Sequence, residues 1–208
     1  VNTIISEKEI KAMLFNRNNN HVSNEKQVRV VHSNSLDRFT DPRDGRVYKQ
    51  VQIGDQVWMC ENLDYELSNS WWYNNDKEIG EQYGRLYTWE AAQKACPEGW
   101  HLPTTEEWDN LCNYIGTKAD AGYKLKCIKE WLDFGIGSDE YNFEALPSGR
   151  RYSGGVFDRL NYSAYWWTAN ESSKSNAWCQ RLYYCDDEAK KFSLNKKNAF
   201  SVRCIKDK

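Results

Sequence analysis

The chain has 208 residues, enough for one sizeable domain and a small appendage. Its 28 Lys and Arg nearly balance 30 Asp and Glu, leaving a net charge of −2. That excludes the basic footprint of a nucleic-acid binder, and no Lys/Arg block is long enough to hold an anionic membrane. No apolar run approaches the ~20 residues of a membrane helix, so membrane insertion is not expected. The chain begins at Val1 without a signal peptide, as expected of a mature or trimmed chain. Aromatic residues are abundant, with 10 Trp, 13 Tyr and 7 Phe. A few such rings can build a core in a loop-rich chain, and those left at the surface favour contact with a ligand or partner. Seven cysteines point to an oxidising compartment, and the odd count leaves at least one unpaired in a monomer. With only His21, His32 and His101 and no Cys-x-x-Cys, neither a zinc site nor any other metal site is expected.

Residues 1–37 read as an arm or linker. Ser6-Glu7-Lys8-Glu9 is a capping box, and Ile10, Met13 and Leu14 follow at helical spacing until the Asn-rich break at 16–20. Val28 to Val31 fits a short strand, but the segment has too few apolar residues to fold alone. Residues 38–208 form the domain. Asp41 to Gly45 is a turn signal. Val47 to Ile53 alternates, with Val47, Val51 and Ile53 on one face and Tyr48, Gln50 and Gln52 on the other. Gly54-Asp55 fits a type II′ hairpin turn returning into Gln56–Met59. Glu61 to Glu81 reads as a polar, aromatic loop containing Trp71-Trp72-Tyr73.

Thr88 caps a helix bearing Trp89, Ala91, Ala92 and Ala95, which Pro97 and Gly99 stop. Thr104 and Glu107 form a capping box for a second helix. Its apolar stripe is Trp108, Leu111, Cys112 and Ile115, and Gly116 ends it. Short strands are expected at 123–128, 143–146, 165–168, 177–184 and 200–205. Two helices set among short, mostly antiparallel strands make an α+β fold.

Several motifs occur in order: Phe39-Thr-Asp-Pro-Arg-Asp-Gly-Arg-Val-Tyr48, Val57-Trp-Met-Cys-Glu-Asn-Leu63, Tyr83-Gly-Arg-Leu-Tyr-Thr-Trp-Glu-Ala-Ala92, Cys96-Pro-Glu-Gly-Trp-His-Leu-Pro-Thr104, Leu146-Pro-Ser-Gly149, Tyr165-Trp-Trp167 and Phe200-Ser-Val-Arg-Cys204. Together they resemble the Fibrobacter succinogenes major paralogous domain, within the C-type-lectin-like and formylglycine-generating-enzyme-like fold. The resemblance runs from about Phe39 to the end. It implies a C-type-lectin-like fold and a Cys96–Cys204 disulfide between the first helix and the last strand. It also implies an extracellular or bacterial cell-surface location, with a lipid anchor or a larger surface protein as the carrier. The family often has two further cysteines bracketing the loop before Tyr83; here Trp72 and Gly80 stand about where they would be. Position 60 is usually Ala and here is Cys60. The pairing of Cys60, Cys112, Cys127, Cys179 and Cys185 is left open.

The expected function is binding or adhesion, without catalysis and without a cofactor. The partner is a protein or a glycan held on the C-terminal face by Trp167, Asn170, Glu171, Ser173, Cys179, Arg181, Tyr183, Tyr184, Cys185, Asp186 and Asp187. Residues 167–198 are rich in types that a diversity-generating retroelement produces, so the face fits a diversified variable protein as well as an ordinary polar strand–loop region. One alternative is a copper-dependent formylglycine-generating-like oxidase using Cys179 and Cys185, since two soft thiolates suit Cu(I). Six residues apart on one strand, these would stand about 20 Å from each other, and the spacing is one longer than in that family. Another alternative is a structural subunit of a pilus or surface assembly, joined through residues 1–37. Of the Trp166–Trp167 pair, one ring is expected in the core and the other exposed. Glu106 and Glu107 serve the helix start, and His101 has a structural place. Leu146-Pro147-Ser148 lacks the carboxylate of a calcium-dependent sugar site, so calcium binding is not supported.

Overall fold

The computed structural model describes residues 37–133 and 135–208. The arm expected over residues 1–37, with its helix and the strand at Val28, lies outside them except for Asp37. In chain order come strands Asp37–Thr40 (β1), Val47–Ile53 (β2), Gln56–Met59 (β3) and Ser70–Trp71 (β4). Helix Lys77–Tyr83 (α1), strand Leu86–Thr88 (β5) and helix Trp89–Ala92 (α2) follow. Next are Trp100–His101 (β6) and helices Thr105–Ile115 (α3) and Lys118–Leu125 (α4). The C-terminal part runs through Ser148–Arg151 (β7), Phe157–Leu160 (β8), Ser163–Glu171 (β9), Asn176–Tyr183 (β10), Asp186–Asn195 (β11), Ala199–Ser201 (β12) and Ile205–Lys206 (β13). One sheet has the order β1-β2-β3-β13-β6. A larger one runs β11-β10-β9-β7-β12-β5-β4, with β8 beside β7. Pairing is antiparallel except where β9 meets β7 and β12. The fold is α+β, with few, short helices.

Local signals account for much of this. At the β2–β3 turn Gly54 takes φ +64° while Asp55 keeps a negative φ, as a type II′ turn requires. The Thr104 hydroxyl accepts from Glu107 N at 3.1 Å, and Glu107 Oε2 accepts from Thr104 N at 2.7 Å, closing the capping box. Two helices were not foreseen. Asp76 caps α1, accepting from Glu78 N at 2.9 Å. The strand expected at 123–128 is instead the end of α4. There the Asp120 carboxylate accepts from Thr117 N at 2.8 Å, a second cap directly after Gly116. Gly122 of α4 lets β11 approach, because a Cβ there would stand 2.6 Å from the Asp187 carbonyl oxygen. The strand expected at 143–146 reduces to one bridge, Lys126 to Ala145, because Asn142 and Glu144 both have positive φ. The last expected strand divides: β12 joins the large sheet and β13 the small one.

The large sheet has buried side chains on both faces, which gives two cores. Residue alternation sends Trp166 to one core, with Trp58, Trp108 and Phe143, and Trp167 to the other, with Tyr87, Trp89 and Phe200. Both indoles are fully buried, so neither is the exposed partner expected from alternation. The same two-sided packing corrects β2: Tyr48 is fully buried opposite Val51 and Ile53, and Val47 is exposed.

Cys96 and Cys204 are bonded, with Cα atoms 5.9 Å apart across 108 residues of chain. The five remaining cysteines are free, four of them buried and Cys185 exposed. Burial pushes the thiols of Cys60, Cys112 and Cys179 up to about 12 and that of Cys127 to about 11.

The missing loop staple has a packed substitute. A Cβ on Gly80 would overlap the Trp72 indole, so the ring lies directly on the bare backbone of α1. Its Nε1 donates to Asp64 Oδ1 at 2.6 Å, and the Arg85 guanidinium covers its face at 4.3 Å. G80A is therefore expected to cost about 1–3 kcal/mol through overpacking, despite the better helix propensity of Ala. A lowered urea midpoint checks this; an unchanged midpoint would show that the indole has room to move.

His101 stands between two carboxylates, Glu107 Oε1 at 2.8 Å and Asp207 Oδ1 at 2.5 Å. Burial alone would lower its pKa, but the hydrogen bonds it donates to Glu107 and Asp207 outweigh it and hold the pKa above 6.5. A raised folded pKa stabilises fully below pH 6.5, and that contribution fades as pH rises through the folded value. Thermal midpoints should therefore fall as pH climbs from 6.5 into the alkaline range, and H101Q should flatten that fall. Parallel curves for the two proteins would contradict it.

Candidate functional site

The register of the last long strands builds one face of the large sheet. Trp167 lies opposite Cys179, and Cys179 opposite Phe192. Two residues along, Tyr165 lies opposite Arg181, and Arg181 opposite Lys190. Directly opposed residues share a face, and so do residues two apart on a strand. On β7, Arg150 donates to the Tyr165 hydroxyl at 3.3 Å and lies opposite Asp158 of β8. A row thus crosses the sheet: Asp158, Arg150, Tyr165, Arg181, Lys190. The opposite face, with Trp166, Leu182 and Ala189, is buried in the core that α3 and α4 share.

Along this face burial gives way to solvent. Trp167 and Cys179 are fully buried, Arg181, Tyr183 and Phe192 are half-buried, and Tyr152 at the rim is 37% exposed. Most cations here are neutralised. Arg150 pairs with Asp158 at 3.2 Å and Arg159 with the same carboxylate at 3.4 Å. Lys190 pairs with Asp186 at 2.6 Å and Glu188 at 3.3 Å. Arg181 differs. Its guanidinium lies 4.4 Å from the Phe192 ring centroid and 5.2 Å from that of Tyr183. Its Nε, like that of Arg150, is buried without a hydrogen-bond partner, and no carboxylate among the described residues forms an ion pair with it, although Asp186 is near enough to feel its charge.

The residues expected to bind ligand do not gather at one point. β10 has eight residues, about 26 Å of strand. Asn170, Glu171 and Ser173 lie towards one end of it, and Tyr183 to Asp187 lie at the other. The first group holds the fold together. Asn170 Oδ1 accepts from Thr105 N at 2.8 Å, Glu171 pairs with Lys196 at 2.9 Å, and Ser173 Oγ accepts from Asn176 N at 3.1 Å. In the second group Tyr183 and Tyr184 meet edge to face at 4.9 Å, and Asp186 pairs with Lys190. Cys185 is exposed at the turn, and Asp187 approaches Gly122 through its backbone. Trp167 and Cys179 are corrected outright: both have zero exposure, because the second core closes over them, so neither reaches a ligand. Arg181 and Tyr183 are half-buried on the face described above.

Arg150, Tyr152, Lys190 and Phe192 were missed. Their signal was available: Arg150-Arg151-Tyr152 follows the Leu-Pro-Ser-Gly motif, and 186–195 has a period of two that sets Lys190, Phe192 and Leu194 together.

The copper reading fails on geometry. Cys179 sits in mid-strand between Trp167 and Phe192, with burial raising its thiol to about 12, while Cys185 lies beyond the end of the strand in the turn. Two thiolates at one point are what Cu(I) needs, and these residues do not fit it.

A family model, the Fibrobacter succinogenes major domain, matches residues 51–206. The chain belongs to this family. Neither a characterised protein nor a solved structure matches it. Within the Fibrobacter succinogenes major domain, three motifs meet at one atom. Asn62 Oδ1 accepts from Trp166 Nε1 at 2.8 Å and from Arg203 Nη2 at 2.9 Å. The motifs are thus largely architectural. Arg150, Arg181, Lys190 and Phe192 lie inside the matched span but outside those motifs.

Proposed function

We propose that the chain is an extracellular or surface-displayed ligand-binding module of C-type-lectin-like fold, binding through the open face of β10 and β11. The observation that carries this reading is Arg181. A guanidinium held half-buried on aromatic rings, near Asp186 but in no ion pair, leaves strong donors unused, and an incoming acceptor would satisfy them. The Cys96–Cys204 bond supports the lectin-like fold, since it joins the residues just after α2 and just before β13. It also supports an oxidising location. Among the described residues no helix is long and apolar enough to cross a membrane. A diversified form of this surface would centre on Tyr183 to Asp187, which adjoin Arg181.

The test is retention of the full chain on an array of polysaccharides and surface proteins. R181E/K190E reverses two charges of the face, and binding should fall by roughly tenfold or more. Undiminished binding would place the site elsewhere.

A further inference from the structure

We infer that Arg181 recognises the carboxylate of an acidic glycan, a uronic-acid chain lying across β10 and β11. This rests on the binding-module reading and adds the ligand's chemical class. The Arg181 guanidinium lies against Phe192 and Tyr183, at 4.4 and 5.2 Å. Its Nε is buried, but its two Nη groups make no hydrogen bond to the described residues, and that end of the fork matches a planar carboxylate through two parallel hydrogen bonds.

The charge count argues for a sparse anion. Arg150, Arg159 and Lys190 are already paired with Asp158, Asp186 and Glu188. One uncompensated cation suits one carboxylate per recognition point. A polyphosphate or nucleic acid needs several uncompensated cations in a row. The surroundings argue for a sugar. Half-buried Phe192 and Leu194 and the rim ring of Tyr152 offer flat apolar surface to the C–H face of a pyranose. The Tyr183 hydroxyl, already accepting from Arg159, keeps a proton to donate to a ring oxygen or hydroxyl, whereas that of Tyr152 donates to Asp158. A peptide is less suited, because β10 is hydrogen-bonded on both sides by β9 and β11 and offers no free backbone. Arg150 and Arg181 stand two strands apart, about 10 Å. That span suits a short run of linked sugars better than a single small ligand.

The experiment is affinity electrophoresis of the full chain in gels containing polygalacturonate, its methyl ester, or dextran sulfate. Polygalacturonate should retard the protein, and the uncharged ester should not. R181Q should weaken retardation roughly tenfold or more. R181K, which keeps the charge but loses the fork, should weaken it nearly as much. K77Q, which breaks an exposed ion pair with Glu81 on α1, should change it by about threefold at most. Near-UV circular dichroism confirms that each variant is folded. No retardation by polygalacturonate, equal retardation by its ester, or a folded R181Q that binds like the parent would each overturn the inference. So would stronger retardation by dextran sulfate that ignores R181K. If the array finds a neutral glycan or a protein whose binding R181E/K190E abolishes, the binding-module reading stands while the carboxylate inference falls.

Discussion

Removing the Cys96–Cys204 bond, as C96A/C204A, is expected to cost about 3–5 kcal/mol of folding stability. The bond closes a 108-residue loop, and the chain-entropy model gives about 4–5 kcal/mol for a loop that long. A domain of this size has a total stability on the order of 5–15 kcal/mol, so the loss is a large fraction of it. The bond also does local work. The Cys204 carbonyl accepts from Met59 N at 3.1 Å, tying the β12–β13 link to the end of β3. Val202 and Cys204 are fully buried in the second core. Urea unfolding of the parent and of C96A/C204A reads the loss directly. Thiol counting gives an independent check: the native parent should offer Cys185 alone to a bulky reagent, with Cys60, Cys112, Cys127 and Cys179 reacting only on unfolding. An unchanged urea midpoint in the variant would remove the bond from the account of stability.

R203M should be about as damaging, at about 3–5 kcal/mol. Arg203 is fully buried, and burial lowers its pKa to about 10. It is held by acceptors on every side. Its guanidinium donates to Asn62 Oδ1 at 2.9 Å, to the carbonyls of Met59 at 3.2 Å and Phe143 at 2.6 Å, and to that of Cys60. It also lies over the Phe143 ring at 4.6 Å. Methionine fills similar space but leaves those carbonyls without a donor in a dry interior, which is the costly half of breaking a buried polar network. N62A should be milder yet severe, since Trp166 Nε1 and Arg203 would lose the acceptor they share. Because the two residues act through one atom, N62A/R203M should cost less than the sum of the single variants. Urea midpoints of the four proteins measure this. Additive losses, or an R203M loss under about 1 kcal/mol, would contradict the network.

These two effects show what could be read before the fold was known. The Cys96–Cys204 link came from resemblance, because nothing in cysteine spacing alone selects one pairing among seven residues. Caps at Thr88 and Thr104 and the hairpin at Gly54 were legible, since each depends on chemistry within four residues. The stripe Trp108, Leu111, Cys112 and Ile115 was legible for the same local reason, and all four side chains are buried. α4 was misread as a strand because Tyr123 to Ile128 suggested extended chain, while the Thr117–Asp120 cap that starts the helix lies upstream. The exposure of the Trp166–Trp167 pair was misread because a sheet buried on both faces cannot be told from a half-buried one over so short a run.

The site was legible only in part, for a related reason. Arg181 and Tyr183 stood out as residue types suited to contact, and both lie on β10. Their neighbours Arg150, Tyr152 and Phe192 come from other strands, and only the register brings them together. Trp167 and Cys179 were drawn into the expected site by proximity in sequence. The core formed with Tyr87 and Phe200, which lie 80 residues upstream of Trp167 and at the chain's far end, is what hides them.

The most direct test of binding at the open face is hydroxyl-radical footprinting of the full chain with and without polygalacturonate. Oxidation of Tyr152, Tyr183 and Phe192 should fall on addition of the polymer. Tyr114 and Ile128, which are exposed but lie off this face, should oxidise unchanged. Protection of Tyr114 or Ile128 in place of the aromatic rings around Arg181, or no protection at all, would contradict binding there.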